Sequence, residues 1–508
     1  MTPPLPRFLP SLVIGLVAAV WLGTARPHAQ PATSLAATTP AVTDRAHALA
    51  LLQALRANLD HVPGEVLVKF KSGTDTGAQA AVMGLAPAPT GGRRTRWIGE
   101  LAVVTVDEGA PVAAVAERLA REPEVEYAQP NHLVRLSAAP NDPGLSRQWN
   151  LNAIDAPRAW DINPGGADVL VAVIDSGVTN FTGDVGYRLW TGDRFDDVSV
   201  AYRTNPDLDT ARFAAGLDTT STRLVISGVA TQPVLDTDGH GTHVASTIVQ
   251  STNNNFGFAG LAYGARLMPV KACFSYWDVQ FLLSALGEPG FVPPDFTGAC
   301  ATTDVVAGIR AAADAGAKVI NLSLGGPGRS PAYIDALNYA VQRGAFVAIA
   351  VGNSFEEGNP VEYPAGYGPD IAGVMSVGSV GLSLRRAYYS NTGSHLEIVA
   401  PGGDGRDGGI GGLIFQAGLF EPDFDPETII VPRFDRYSES AKQGTSMASP
   451  HVAGLAALLY SQGITSPGAI EAAIKLFARD LGDPGTDTQF GAGLIDARAT
   501  LRGLGLAR

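Results

Sequence analysis

Three short apolar runs constrain the fold of this chain more than anything else in it. They are Asp168–Gly177 (DVLVAVIDSG), Lys318–Gly326 (KVINLSLGG) and Ala345–Asn353 (AFVAIAVGN). The first and third are unbroken at their centres, and the second, with Asn321 and Ser323 inside it, runs into two glycines; each reads as a buried strand, the pattern of a parallel sheet sandwiched between helices. The expected fold class is therefore α/β, with a mostly parallel central sheet and helices on both faces. In such open sheets the functional groups gather outside the carboxyl ends of the strands. Asp175 and Asn353 fall at such ends, although an Asp or Asn beside glycine is also an ordinary turn residue.

Two further segments supply reactive groups. Gly444–Gly454 reads GTSMASPHVAG and places Ser446 just before the apolar run Val452–Tyr460. A serine there sits at a helix N-terminus, where unpaired N–H groups and the helix dipole favour developing negative charge. Taken alone it is equally a helix cap. Asp236–Ala245, DTDGHGTHVA, carries two histidines three apart. A helical zinc pair needs four-residue spacing with an intervening glutamate, so metal is disfavoured. His240, on a glycine-flanked turn, is the candidate general base, and His243 reads as a packed structural histidine. A serine hydroxyl becomes a nucleophile when an imidazole takes its proton and a carboxylate orients that imidazole. The chain order Asp175, His240, Ser446 differs from the trypsin-like order and from the serine-first order of esterases and lipases.

In these blocks, VIDSG, HGTHVA and GTSMASPHVAG, the chain resembles the subtilisin-like serine proteases, from about Gln148 to the C-terminus. Ser246 departs from the glycine usual in the family. The resemblance implies a subtilisin-like α/β fold and a catalytic set of Asp175, His240 and Ser446, with Asn353 and the Ser446 N–H as oxyanion donors. It implies that Ser323, Leu324, Gly325 and Gly326 bind an extended substrate by strand addition. Ala350, Val351 and Gly352 then form the opposite wall of the first specificity pocket. Both walls are small and uncharged, which predicts a roomy apolar pocket and broad specificity, with Glu356 and Glu357 favouring basic residues at some subsite. No cofactor is required for the chemistry. A structural calcium is implied at the loop Thr252–Phe258, with Gln148, Asp184 and Asn254 as ligands. The competing reading, an inactive binding protein on the same fold, is disfavoured because all four catalytic residues are present.

The rest of the chain fits an exported precursor. Residues 1–29 carry Arg7 and an apolar stretch Phe8–Leu22, the pattern of a signal peptide and too short for a membrane span. Residues 30–60 read as a linker with one helix at 46–59. Residues 61–138 form a small α+β module, with strands at Glu65–Phe70, Leu101–Val106 and Glu124–Leu136 and a helix at Pro111–Arg121. It resembles an inhibitory propeptide whose last strand enters the active site after self-cleavage near Ser137–Pro140, the alternative being an ordinary attached N-terminal domain. Residues 139–508 are the peptidase domain. The net charge of −13 lies almost wholly in that domain, which argues against nucleic acid or anionic membranes as partners. The expected partners are protein or peptide substrates and the chain's own propeptide, for a secreted monomer, extracellular or periplasmic before release. The two cysteines, Cys273 and Cys300, bracket an insertion at Phe274–Ala299. In an exported protein they read as a disulfide contributing about 3 kcal/mol by chain entropy, with a reactive pair as the alternative. A second insertion, Asp404–Ser440, is expected to be a surface loop shaping the primed side of the cleft.

Overall fold

The computed structural model describes residues 44–503 except 57–58, 60, 90–94, 108, 134–139, 222–223, 225, 227–231, 294–295, 297 and 420–430. The expected signal peptide and Ser137–Ala139 of the expected self-cleavage region lie outside the described residues. The chain divides into two units, the first made of residues up to 57 and Val62–Asn131, the second of residues 58–61 and those from His132 onward.

In the N-terminal unit a four-stranded sheet has the order Thr95–Ile98, Leu101–Thr105, His61–Phe70, Val125–His132. The alternation in EVLVKF does what period two requires: Val66, Val68 and Phe70 point into one core with Ala102 and Val104. The helices Thr76–Gly84 and Val112–Ala120 close that core with Val82, Val115 and Leu119. The helix Thr76–Gly84 and the strand Thr95–Ile98 were not read from the sequence; the strand is exposed along its length and carries no burial pattern.

The C-terminal unit is built on seven strands, all parallel. Their order is Ile398–Pro401, Val374–Val380, Phe346–Ala350, Val319–Leu322, Leu170–Asp175, Arg266–Lys271, Leu217–Asp218. The strand Leu170–Asp175, fifth in this order, shows why its sequence is unbroken. Val171 and Val173 pack with Ile248, Phe346, Val452 and Leu455 on one face, and Leu170, Ala172 and Ile174 pack with Val270, Ile309 and Leu337 on the other. The helices His240–Val249 and Thr445–Ser461 therefore cover one face, and Thr302–Asp314 and Pro331–Gln342 the other. Each buried Val, Leu or Ile contributes roughly 1.5–3 kcal/mol, so the sheet is a rigid platform for whatever its edge carries. The three apolar runs of the sequence are adjacent and parallel, which brings their carboxyl ends to one edge.

The described residues of both insertions belong to this unit. Cys273 and Cys300 form a disulfide and pair in a short antiparallel ladder. Between them the helix Tyr276–Leu286 starts with a capping box in which Ser275 and Asp278 satisfy each other's N–H groups. The second insertion is not merely a surface loop. Its strand Ile414–Leu419 is buried and pairs with Tyr437–Lys442, while residues 420–430 lie outside the described set.

Candidate active site

Asp175 is the last residue of the strand Leu170–Asp175 and 3 % exposed. Its Oδ1 accepts from Ser176 N at 2.7 Å and from His240 Nδ1 at 2.7 Å. His240 opens its helix with its side chain 29 % exposed, so one face of the ring is held and the other is reachable. The two glycines around this pair are required by space. Gly177 has φ +112°, and a Cβ on Gly241 would lie 2.2 Å from Gly177 O. Only glycine lets the strand end and the histidine turn approach that closely. Desolvation pulls the His240 imidazole down, but the attraction and hydrogen bond of the Asp175 carboxylate outweigh it, and the net shift is upward.

The turn carrying His240 is organised by Asp236, a fully buried acid that sequence reasoning passed over. Its Oδ1 accepts from Ser176 Oγ (3.0 Å), Asp238 N (3.1 Å) and Gly239 N (2.9 Å). Its Oδ2 accepts from Thr242 N (3.0 Å) and Thr242 Oγ1 (2.5 Å). Ser176 Oγ in turn accepts from Gly241 N at 2.9 Å. Beneath them the buried Lys271 donates to Ser176 O at 2.7 Å and to Asp278 at 2.8 Å, tying the disulfide-closed insertion to the residue after Asp175. His243 is fully buried, its ring against Ile414 O at 3.0 Å, and burial drives it down to about 3. It is the structural histidine expected.

Ser446 is the second residue of the helix Thr445–Ser461, where a backbone N–H has no partner one turn earlier. Asn353 Oδ1 accepts from Thr445 N at 2.8 Å and from Thr445 Oγ1 at 3.0 Å. With its oxygen so engaged, the amide has its NH₂ left to offer beside the Ser446 N–H. Pro450, inside this helix, has no N–H to give to Ser446 O four residues back. Ser323 Oγ donates to that carbonyl instead, at 2.8 Å, while Ser446 Oγ donates to Ser323 O at 3.2 Å. Among the described residues the Ser446 hydroxyl is thus bonded to Ser323, and it has to leave that carbonyl before an imidazole can take its proton. Catalytic hydrogen bonds of this kind commonly tighten only with substrate bound.

A cleft of about 430 Å³ is bordered by Asp175, His240, Ser323, Leu324, Gly325, Gly326 and Tyr363, together with Phe274 and Ala299 of the first insertion and the disulfide that closes it. The segment that locks Ser446 therefore opens on the same space as the Asp175–His240 pair. Ala350, Val351 and Gly352 are buried and do not border it; Gly352 N donates to Thr445 Oγ1 at 3.3 Å.

A family model for the subtilase family matches residues 166–493. The chain belongs to the subtilase family. It is a serine protease, and a second model, for the fervidolysin N-terminal prodomain, matches residues 50–131. The subtilase is 31% identical over 436 residues to the thermophilic serine proteinase of Bacillus sp. (strain AK1), covering 85% of this chain and 86% of that one. It is 31% identical over 361 residues to thermitase of Thermoactinomyces vulgaris, covering 70% of this chain and 97% of thermitase. Among solved structures, a protease from Pseudoalteromonas arctica PAMC 21717 superposes with a TM-score of 0.51 at 28% identity, over 72% of this chain and 99% of that one. No helix of the described residues is long and apolar enough to cross a membrane.

Two expectations for the subtilase need correction. Glu356 is not free to meet a basic substrate residue: Arg406 of the second insertion grips it through two bonds of 2.6 and 2.9 Å. The residues expected to hold calcium are also engaged otherwise. Gln148 is locked in the core, donating to Ala259 O at 2.9 Å and accepting from Ala259 N at 2.8 Å. Asp184 is exposed on a hairpin strand opposite Ala201. That hairpin, Gly183–Tyr202, is interposed between the Asp175 strand and the acid the loop meets, so counting from Asp175 picks the wrong residue. Asn254 donates instead to Asp207 at 2.8 Å, and the N–H groups of Asn253 and Asn254 point at Asp142 at 2.8 and 3.3 Å. Asp142 is 4 % exposed and Asp207 0 %, and burial pushes Asp207 up to about 6. Among the described residues neither has a cationic partner, and no group of three or more His, Cys, Asp or Glu is placed to hold a metal ion.

Proposed function

We propose that this subtilase is a secreted endopeptidase, made as a self-processing precursor, with Asp175, His240, Ser446 and Asn353 as its catalytic residues. In this reading Ser446 Oγ attacks the carbonyl carbon of the scissile peptide bond and passes its proton to His240 Nε2. Asp175 holds the Nδ1–H and stabilises the imidazolium. The carbonyl oxygen becomes an oxyanion between the Asn353 NH₂ and the Ser446 N–H. Collapse breaks the C–N bond as His240 returns the proton to the leaving amine. Water, deprotonated by the same imidazole, then hydrolyses the acyl ester. The backbone of Leu324–Gly326 offers an edge along which an extended peptide adds as a strand. The observation that carries the reading is the 2.7 Å Asp175–His240 pair opening on the cleft whose wall residue Ser323 bonds both the hydroxyl and the carbonyl of Ser446.

Residues 61–138 act as the inhibitor in this reading, supported by the match to a prodomain, and residues 1–29 direct export, supported by their charge and apolar pattern. Ser446→Ala is expected to abolish both peptide hydrolysis and release of the short form, followed by gel shift of the purified precursor. A Ser446→Ala protein that matured unaided would count against self-processing. A structural calcium fits two buried carboxylates without a cationic partner better than the set inferred from sequence: Asp142, Asp207 and Asn254 would hold it, and its charge would offset theirs. Chelation is then expected to lower the thermal midpoint of the native protein and not that of Asp207→Ala.

A further inference from the structure

The two segments read as opposite walls of the first specificity pocket meet on one carboxyl group. A Cβ built on Gly325 would lie 3.1 Å from Glu362 Oε2, and one built on Gly352 would lie 2.5 Å from Glu362 Oε1. Glu362 is held there by its own strand segment, since Tyr363 N donates to Gly326 O at 2.7 Å and Gly326 N to Tyr363 O at 3.1 Å. Its Oε1 is fixed by Ser354 Oγ at 2.9 Å and Asn391 Nδ2 at 3.1 Å. Oε2 faces Gly325, which borders the cleft and has no side chain to screen it. Among the described residues no Lys, Arg or His forms an ion pair with Glu362; the nearby Arg329 is stacked on the Tyr363 ring, 5.4 Å from its centre. A partly buried carboxyl group positioned by two neutral donors, with no hydrogen bond or ion pair to its second oxygen among the described residues, is an incomplete ion pair.

We propose that Glu362 makes the first specificity pocket of this subtilase a cation site, so that the enzyme cuts after lysine or arginine. The inference rests on the proteolytic reading of the cleft and replaces the apolar pocket expected from the glycines. An ammonium or guanidinium entering from the cleft past Gly325 completes the pair with Oε2 as a charge-assisted hydrogen bond. Gly325 and Gly352 are then needed for space, because any Cβ at either position would collide with the carboxyl group or close the approach to it.

The experiment compares kcat/KM for peptidyl p-nitroanilides that differ only in the residue before the cut bond: Lys, Arg, Phe or Leu. Active enzyme is counted by titration of Ser446 with a fluorophosphonate. A charge-assisted bond gained only by the cationic residues predicts a lysyl-to-phenylalanyl ratio of about 10 to 100 for the native enzyme. Glu362→Gln is expected to lower that ratio at least about tenfold by the same reasoning. Should that variant fail to fold, the native enzyme decides alone, because benzamidine should then inhibit at least about tenfold better than neutral benzamide. A native ratio at or below one, with benzamidine and benzamide equivalent, overturns the assignment while leaving the protease intact. Failure to cleave any substrate together with no fluorophosphonate labelling sinks the proteolytic reading as well.

Discussion

Replacing Asp236 by asparagine probes the histidine turn most sharply, because the substitution keeps the shape and removes only charge and one acceptor. In the native protein Asp236 takes five hydrogen bonds with no exposure to water. The asparagine oxygen can keep the three donors now on Oδ1, from Ser176, Asp238 and Gly239. Its NH₂ must then face Thr242 N, which strands one buried N–H at a cost of about 1–3 kcal/mol. The three remaining bonds lose their charge assistance, while the relief of desolvating an anion offsets part of that loss. The net expectation is a destabilisation of about 2–4 kcal/mol, which a domain with the usual 5–15 kcal/mol of stability survives. The turn loosened is the one that seats His240 against Asp175, and displacements of an ångström in such groups cost about a hundredfold in rate. Turnover is therefore expected to fall about 10- to 100-fold, with KM little altered because Ser323–Gly326 makes no contact with Asp236 among its hydrogen bonds. The assay is steady-state hydrolysis with active-site titration, alongside urea unfolding. A variant with turnover within about twofold of native and an unmoved urea midpoint would refute the idea that Asp236 positions the histidine.

The upward shift of His240 gives a pH prediction: the base must be neutral, so kcat/KM should fall as pH drops through an apparent value above the ordinary imidazole value of about 6.5. Asp175→Asn removes the attraction that outweighs desolvation, and the residual activity should have its acid limb displaced to lower pH; a limb that stays put would detach the shift from Asp175. The sign carries over to stability: the Asp175–His240 pair stabilises the fold fully below the unfolded imidazole value and loses that contribution as pH rises through the higher folded one. Asn353→Ala should cut turnover by about two to three orders of magnitude with KM nearly constant, the loss known for such a donor in subtilisin itself. An unchanged turnover number would remove Asn353 from the oxyanion site.

The legible parts of this protein were those written in contiguous residues. The buried strands declared themselves because a strand covered on both faces is apolar along most of its length, as Leu170–Ile174 is throughout. The glycine-flanked His240, the serine before an apolar helix and the cysteines around a single insertion are likewise local signals. The exposed strand Thr95–Ile98 left no burial pattern to read, and the hairpin Gly183–Tyr202 defeated any offset counted along the chain.

Sequence alone therefore determined the sheet, the order of the reactive groups and the pair of half-cystines, since each depends on residue type and short-range spacing. Tertiary structure decided what each charged side chain does. Asp236, Lys271, Asp207 and Glu362 look interchangeable with any other charged residue in the string. They acquire distinct roles only where folding buries them beside particular partners: a histidine turn, the backbone after Asp175, an asparagine loop, and two facing glycines. Burial raises the energetic weight of each such contact, and burial is a property of three-dimensional neighbours that no stretch of sequence contains.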